Sequence, residues 1–154
     1  MADYFLDSSA LVKRHVKEPG TTWVRSLTRL KAGHTFYIAR ITAVEVYAAI
    51  TRRQDGGHLS PAQAGAILGH FRRHLVQRYS ILELTPALFT EAMLSARKQR
   101  LRAYDAVQLT AALEVDRLNR EAGFGPVTLI SADHDLNAAA RAEGLAVDDP
   151  NTHP

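Results

Sequence analysis

The stretch Tyr4-Phe5-Leu6-Asp7-Ser8-Ser9 decides the fold. Tyr4-Phe5-Leu6 is a short aromatic and apolar run suited to a strand. Asp7-Ser8-Ser9 is helix-start chemistry, because short side chains bearing an oxygen satisfy the free N–H groups of a first turn. The chain therefore opens with a strand that runs directly into a helix. That helix is expected over Ala10 to Lys17, broken by Glu18-Pro19-Gly20. A second, over Thr21 to Leu30, carries Trp23, Val24, Leu27 and Leu30 at helical spacing and ends at Gly33.

The same switch recurs downstream. Phe36-Tyr37-Ile38 reads as a strand, followed by a helix over Thr42 to Arg53 that stops at Asp55-Gly56-Gly57. Ser60-Pro61-Ala62-Gln63 opens the next helix, with Ser as cap, Pro at the first helical position and Gln placed to close a capping box, and this helix runs to about Tyr79. Ser80 to Thr85 reads as a strand, Pro86 to Gln99 and Tyr104 to Glu121 as helices, and Pro126 to Ile130 as a strand rich in β-branched residues. A helix over Asp133 to Glu143 and a strand at Leu145-Ala146-Val147 complete the pattern. Strands alternating with one or two helices predict an α/β fold with a mostly parallel sheet. In open sheets of that kind, ligands bind beyond the carboxyl ends of the strands.

A length of 154 residues predicts one domain, taken as residues 1–149, with 150–154 as a short tail. Apolar residues at 46% and charged residues at 23% are ordinary for a globular chain. The absence of cysteine excludes disulfides, thiolate metal sites and cysteine nucleophiles. A net charge of +3 permits a polyanionic partner without demanding one. Met1 to Val12 carries Asp3 and Asp7 and no basic leader, and no window approaches the ~20 apolar residues of a spanning helix, so a cytoplasmic protein without membrane association is expected.

Of the sixteen acidic residues, most have bland addresses. Glu91, Glu114, Asp116, Glu121 and Glu143 lie in helix bodies or ends, Glu18 and Asp55 at helix ends, and Glu83 on the outer face of a strand. Four stand apart. Asp7 follows the first strand, Glu45 lies in the first turn after the second, and Asp133 lies just past the fourth, all at one edge of a parallel sheet. Asp105 shares a helix face with Leu109, Ala112 and Leu113, and a charge on an apolar stripe asks for a partner. Each has a structural alternative. Asp7 can cap the first helix, Thr42-Ala43-Val44-Glu45 has the spacing of a capping box, Ser131-Ala132-Asp133 can be a capped helix start whose acid complements the dipole, and Arg102 can pair with Asp105.

Taken jointly, four carboxylates at one edge repel and cannot all stay ionised without a cation among them. An oxygen-only set selects Mg²⁺ or Mn²⁺ over zinc. His70 and His74 lie four apart, but without a metal-binding Glu between them they read as surface residues. Hard ions held by acids polarise phosphoryl oxygens and activate water, which fits phosphodiester hydrolysis. In this reading Asp7 is the central ligand, and Asp105 and Asp133 complete the shell. Glu45 binds through water or orients the attacking water, Ser8 and Ser131 anchor a phosphate or a ligating water, and Asp135 is the spare acid. Lys13, Arg14, Arg52, Arg53, Arg100 and Arg102 are candidates to grip a nucleic-acid backbone, or are solvated helix faces. Trp23, Phe36 and Tyr37 belong more naturally to the core than to base stacking.

The same residues carry a family likeness. Tyr4 to Lys13, Thr42-Ala43-Val44-Glu45-Val46, Leu101 to Leu109 and Leu129-Ile130-Ser131-Ala132-Asp133 resemble the successive blocks of the PIN-domain ribonucleases, most closely the VapC-type toxins. The likeness extends to Glu18-Pro19-Gly20, Gly144 to Val147 and Pro150. It implies a five-stranded parallel sheet in an α/β/α sandwich, Mg²⁺- or Mn²⁺-dependent RNA cleavage, a homodimer, and neutralisation by a cognate antitoxin. By position, Asp7, Glu45, Asp105 and Asp133 fall on the family's acidic quartet and Ser131 on its Ser/Thr, with Asp133 and Asp135 competing for the fourth place. Competing readings are a metal-dependent phosphatase, a structure-specific DNA nuclease, and a non-catalytic RNA- or protein-binding module. An Asp-x-Asp nucleophile motif and a Gly-x-x-x-x-Gly-Lys phosphate loop are both missing, which favours water as the nucleophile.

Overall fold

A computed structural model describes residues 1–153. Five strands, β1 (Asp3–Leu6), β2 (Thr35–Ala39), β3 (Ser80–Leu82), β4 (Val127–Ile130) and β5 (Ala146–Asp148), form one sheet in the order β3-β2-β1-β4-β5. Every pairing is parallel. Seven helices connect them: α1 (Ser8–His15), α2 (Thr21–Leu27), α3 (Arg40–Asp55), α4 (Pro61–Gln77), α5 (Pro86–Gln99), α6 (Ala103–Glu121) and α7 (His134–Ala142). The parallel α/β expectation is met.

Alternation along the central strand sorts the layers. Leu6 joins Leu11, Ile38, Val46, Ile50 and Phe71 in a core on the α1, α3 and α4 side. Its neighbour Phe5 points the other way, into a core with Leu109, Ala112, Leu129 and Leu136 beneath α6 and α7. Both faces of the sheet are thus covered, as all-parallel sheets require. Phe36 lies in the first core, stacked on Tyr4 at 5.7 Å, and Trp23 stacks flat on His153 at 4.1 Å. Pro150–Thr152 form a 3-10 turn whose buried Pro150 packs against Gly20.

Several boundaries differ from the sequence reading, each for a local reason. Asp7 itself caps α1, accepting from the Ala10 N–H, so the helix begins at Ser8 rather than Ala10. α2 stops at Leu27, where the Thr28 hydroxyl bonds back to the Val24 carbonyl, and Leu30 lies exposed in a 3-10 turn. β3 ends at Leu82 because Thr85 caps α5. The Ser60–Gln63 capping box is present as expected. The Thr42–Glu45 box is not: β2 runs straight into a helix that starts at Arg40, with Ala39 as an uncapped boundary, so Thr42 is already inside the helix and fully buried. Only His70 of the histidine pair is a surface residue. His74 is buried against His15.

No helix among the described residues is long and apolar enough to cross a membrane.

Candidate active site

The sheet order changes direction between β1 and β4, and the carboxyl ends of these two strands deliver the first residues of the site. The Asp7 N–H extends the β ladder to the Ile130 carbonyl at 3.2 Å, which leaves the Asp7 side chain beside Ser131. Asp7 is only 3% exposed, and both of its oxygens are engaged. Oδ1 accepts from the Ser9 hydroxyl at 2.7 Å and the Ala10 N–H at 3.0 Å, and Oδ2 accepts from the Ser131 hydroxyl at 3.0 Å. Burial pushes its carboxyl up to about 7, with these hydrogen bonds opposing the rise and the charge of Glu45 adding to it.

Glu45 reaches the cluster from the second turn of α3. Its Oε2 accepts from the Ser8 hydroxyl at 3.0 Å and its Oε1 from the Gln108 amide at 2.6 Å. The same amide nitrogen donates to the buried Thr42 hydroxyl at 2.8 Å. α6 thereby fixes Glu45 from across the cleft, and partial burial raises its carboxyl above the usual range.

Asp105 sits one turn before Gln108, in the first turn of α6. Its carboxyl is raised to about 6, first by burial, then by the negative charges of Asp133 and Glu45, with Arg102 opposing and Asp135 adding to the rise. No ion pair joins Asp105 to a cation among the described residues, so the salt-bridge alternative with Arg102 is not realised.

Asp133 caps α7, accepting from the Leu136 N–H at 2.8 Å, while its own N–H donates to the Ser131 hydroxyl at 3.1 Å. Asp135 lies beyond it, 85% exposed at its side chain and beside His134. Capping and membership of the acidic group therefore coexist at Asp7 and at Asp133.

A cleft of about 470 Å³ runs from Ser8 and Glu45 toward Lys13, Arg52 and Arg53, with Val44 and Tyr104 exposed at its rim. Lys13 is buried and pairs with Glu18 at 3.4 Å, and Glu18 also pairs with Arg53. Glu18, which the sequence placed among the bland acids, thus organises the basic wall. Arg102 stands at the boundary before α6, near Asp105 and without a capping bond, whereas Arg100 is an exposed residue in the left-handed conformation after α5. Arg14 is not brought to the cleft. It donates to the Thr28 carbonyl at 3.0 Å, at the far end of α1.

Three residues of this network escaped the sequence reading. Gln108 is fully buried on an α6 stripe otherwise made of Leu109, Ala111 and Ala112, the same signal that singled out Asp105. Asn137, four residues after Asp133, donates to the Ser131 carbonyl at 2.8 Å. Ser9 links the two halves of the site, donating to Asp7 and accepting from the Ala132 N–H at 2.9 Å.

The donor set fits a hard divalent cation in kind. It is oxygen only, and two of its carboxyls are driven toward protonation by burial and by neighbouring negative charge, a cost that a cation offsets. As placed, no three His, Asp or Glu side chains among the described residues lie close enough together to hold one ion. Asp7 and Asp133 share the Ser131 hydroxyl, while Glu45 and Asp105 join them through their charges rather than through a closed ligand shell.

Among solved structures, the chain is similar to PAE2754 from Pyrobaculum aerophilum, at 20% identity over 98% of this chain and 91% of the other, with a TM-score of 0.63. It is also similar to the VapBC2 complex of Rickettsia felis bound to a DNA fragment from its promoter, at 16% identity, 96% and 98% coverage and a TM-score of 0.63. A third is Mycobacterium tuberculosis VapC20, described as a sarcin–ricin loop cleaving toxin, at 15% identity, 93% and 96% coverage and a TM-score of 0.61. These likenesses concern the fold. No curated protein matches the chain significantly. The sequence profile of the PIN domain matches residues 4–142, which spans every strand but the last and every residue of the acidic group, and the chain therefore belongs to the PIN domain family.

Proposed function

We propose that this protein is a Mg²⁺- or Mn²⁺-dependent ribonuclease that hydrolyses RNA phosphodiester bonds and acts as the toxin of a toxin–antitoxin pair. The observation that carries the reading is the gathering of Asp7, Glu45, Asp105 and Asp133 at one sheet edge, with the Asp7 carboxyl pushed up to about 7 and that of Asp105 to about 6. Asp7, Asp105 and Asp133 are the residues that would hold the ion. When bound, it supplies polarisation of a phosphoryl oxygen and a lowered pKa for water.

The chain's own groups do the rest. Glu45 is oriented from both sides by Ser8 and Gln108, and its raised carboxyl suits it to take a proton from an attacking water. Ser131 and Ser9 hold both oxygens of Asp7, so its orientation does not depend on substrate. Lys13, Arg52 and Arg53 line the cleft wall and offer positive charge to the sugar–phosphate backbone. Asp135 adds negative charge near Asp105 as a reserve acid.

The toxin assignment is supported by the family and by neighbours described as a toxin and as a toxin–antitoxin complex. It brings with it a cytoplasmic setting, a homodimer, and an antitoxin that covers the cleft over the exposed Val44 and Tyr104. The test is cleavage of single-stranded RNA and RNA loops by purified protein with Mn²⁺, with chelator, and with Asp105→Asn. Cleavage that needs metal and Asp105 is expected. Cleavage retained by the folded variant refutes the assignment, and RNA binding without cleavage across metals and substrates transfers the protein to the binding-module reading.

A further inference from the structure

At the other end of α1, where it packs against α2 and α4, the chain gathers positive charge with nothing to balance it. Arg14 and His15 of α1, Arg25 of α2 and His70 of α4 line a depression of about 430 Å³. Buried His74 adjoins it, with ring centroids 4.1 Å from His70 and 6.0 Å from His15, and His15 lies 5.5 Å from His70. Arg73 and Arg78 add their fields to the same imidazoles. Among the described residues no carboxylate pairs with Arg14, Arg25, Arg73 or Arg78.

Hydrogen bonding is incomplete in the same place. Of the six buried side-chain polar atoms that lack a partner among the described residues, Arg14 Nε and His15 Nε2 belong to residues lining the depression, and His74 Nδ1 and Tyr79 Oη lie behind it. Buried polar atoms without partners, and like charges packed together, are both unfavourable unless something meets them. The guanidinium groups are also held in position. Arg14 donates to the Thr28 carbonyl at 3.0 Å, Arg78 donates to the same carbonyl at 3.4 Å, and Arg25 Nε donates to the Arg14 carbonyl at 2.9 Å.

We propose that this depression is a binding site for a phosphoryl anion, about 10 Å along α1 from Asp7. The guanidinium groups of Arg14 and Arg25, with the imidazoles of His15 and His70 beside them, suit a ligand carrying up to two negative charges and several acceptor oxygens, which a single carboxylate does not match. The three imidazoles do not make a metal site. Four arginines oppose a cation there, and no three groups are placed to hold one. The phosphoryl group comes either from free phosphate or from the backbone of a nucleic-acid strand. The site stands on its own geometry, independently of the nuclease reading.

The test follows the imidazole resonances of His15 and His70 in the full chain during titration with inorganic phosphate at constant ionic strength. Saturable shifts are expected, weakened about tenfold by Arg25→Gln. Arg97→Gln, which removes the same charge from α5, leaves them unchanged. Arg25→Gln is the decisive variant because Arg14 also ties down the end of α2. Circular dichroism checks that each variant is folded. In a second arm, a single-stranded oligodeoxynucleotide that competes with phosphate for these resonances identifies the backbone as the source, and one that does not compete identifies free phosphate. Absence of a saturable shift, an equal response to acetate, or equal weakening by Arg97→Gln overturns the proposal.

Discussion

Replacing Asp7 with Asn is expected to abolish activity and yet stabilise the metal-free protein at alkaline pH. The folded-state carboxyl lies at about 7 against 3.8 for the unperturbed group, so the folded chain gives up this proton later than the unfolded chain does. The sign follows from linkage. Stability from this site is fully present below the unfolded value and is lost as pH rises toward 7, at about 1.4 kcal/mol per pH unit, or about 4 kcal/mol in all. Asn removes the titration but supplies one acceptor oxygen where the carboxylate supplies two, so one of the bonds from Ser9, Ala10 or Ser131 weakens. That loss is about 1–3 kcal/mol, leaving a net gain of roughly 1–3 kcal/mol at pH 8. The assay is urea unfolding in chelator at pH 8 and pH 5, with circular dichroism as the probe. The advantage of the variant shrinks by about 3 kcal/mol between the two conditions, because the folded wild type takes up its proton over that interval. An Asp7→Asn protein that is less stable than wild type at pH 8, or whose stability difference is the same at both values, refutes the account of a buried, destabilising carboxyl. Added Mn²⁺ is expected to raise the wild-type midpoint and to leave that of the variant unmoved.

Glu45→Gln keeps the shape that bonds Ser8 and Gln108, so stability changes by less than about 1 kcal/mol while the cleavage rate falls by about 10²–10⁴, measured as single-turnover RNA cleavage. Gln108→Leu strips a partner from both Thr42 and Glu45, and it is expected to cost about 1–3 kcal/mol in urea unfolding and to slow cleavage by freeing Glu45. Gly20→Ala is expected to cost about 2–5 kcal/mol without changing the cleavage rate per folded molecule, because φ is +81° there and a new Cβ falls 2.2 Å from the Pro150 carbonyl oxygen. A melting temperature equal to wild type would show that the Pro150 turn shifts freely.

The helix starts were legible where a capping oxygen marks them, after an apolar strand at Leu6-Asp7 and, between two helices, at Ser60 with Gln63. The Thr42–Glu45 pattern misled because spacing alone does not make a cap. The chain must also leave the helix there, and β2 instead enters α3 at Arg40. Asp105 was visible as a charge on an apolar stripe, but the value of Gln108 depends on Thr42, 66 residues away, and no local pattern reports that distance. The cationic depression was invisible for the same reason. Arg14, Arg25 and His70 belong to three helices, and each alone reads as a solvated face.

The placement of β1 between β2 and β4 bears on how the molecule comes into being. Its second neighbour is more than a hundred residues downstream, since Leu6 pairs with Ile130, and such distant pairings close late and slowly. Ser131 and Asp133 arrive only with that last closure, so a partly made chain carries Asp7 and Glu45 without the groups that complete their surroundings. The cleft is thus assembled from both ends of the chain and is whole only once β1 and β4 have met.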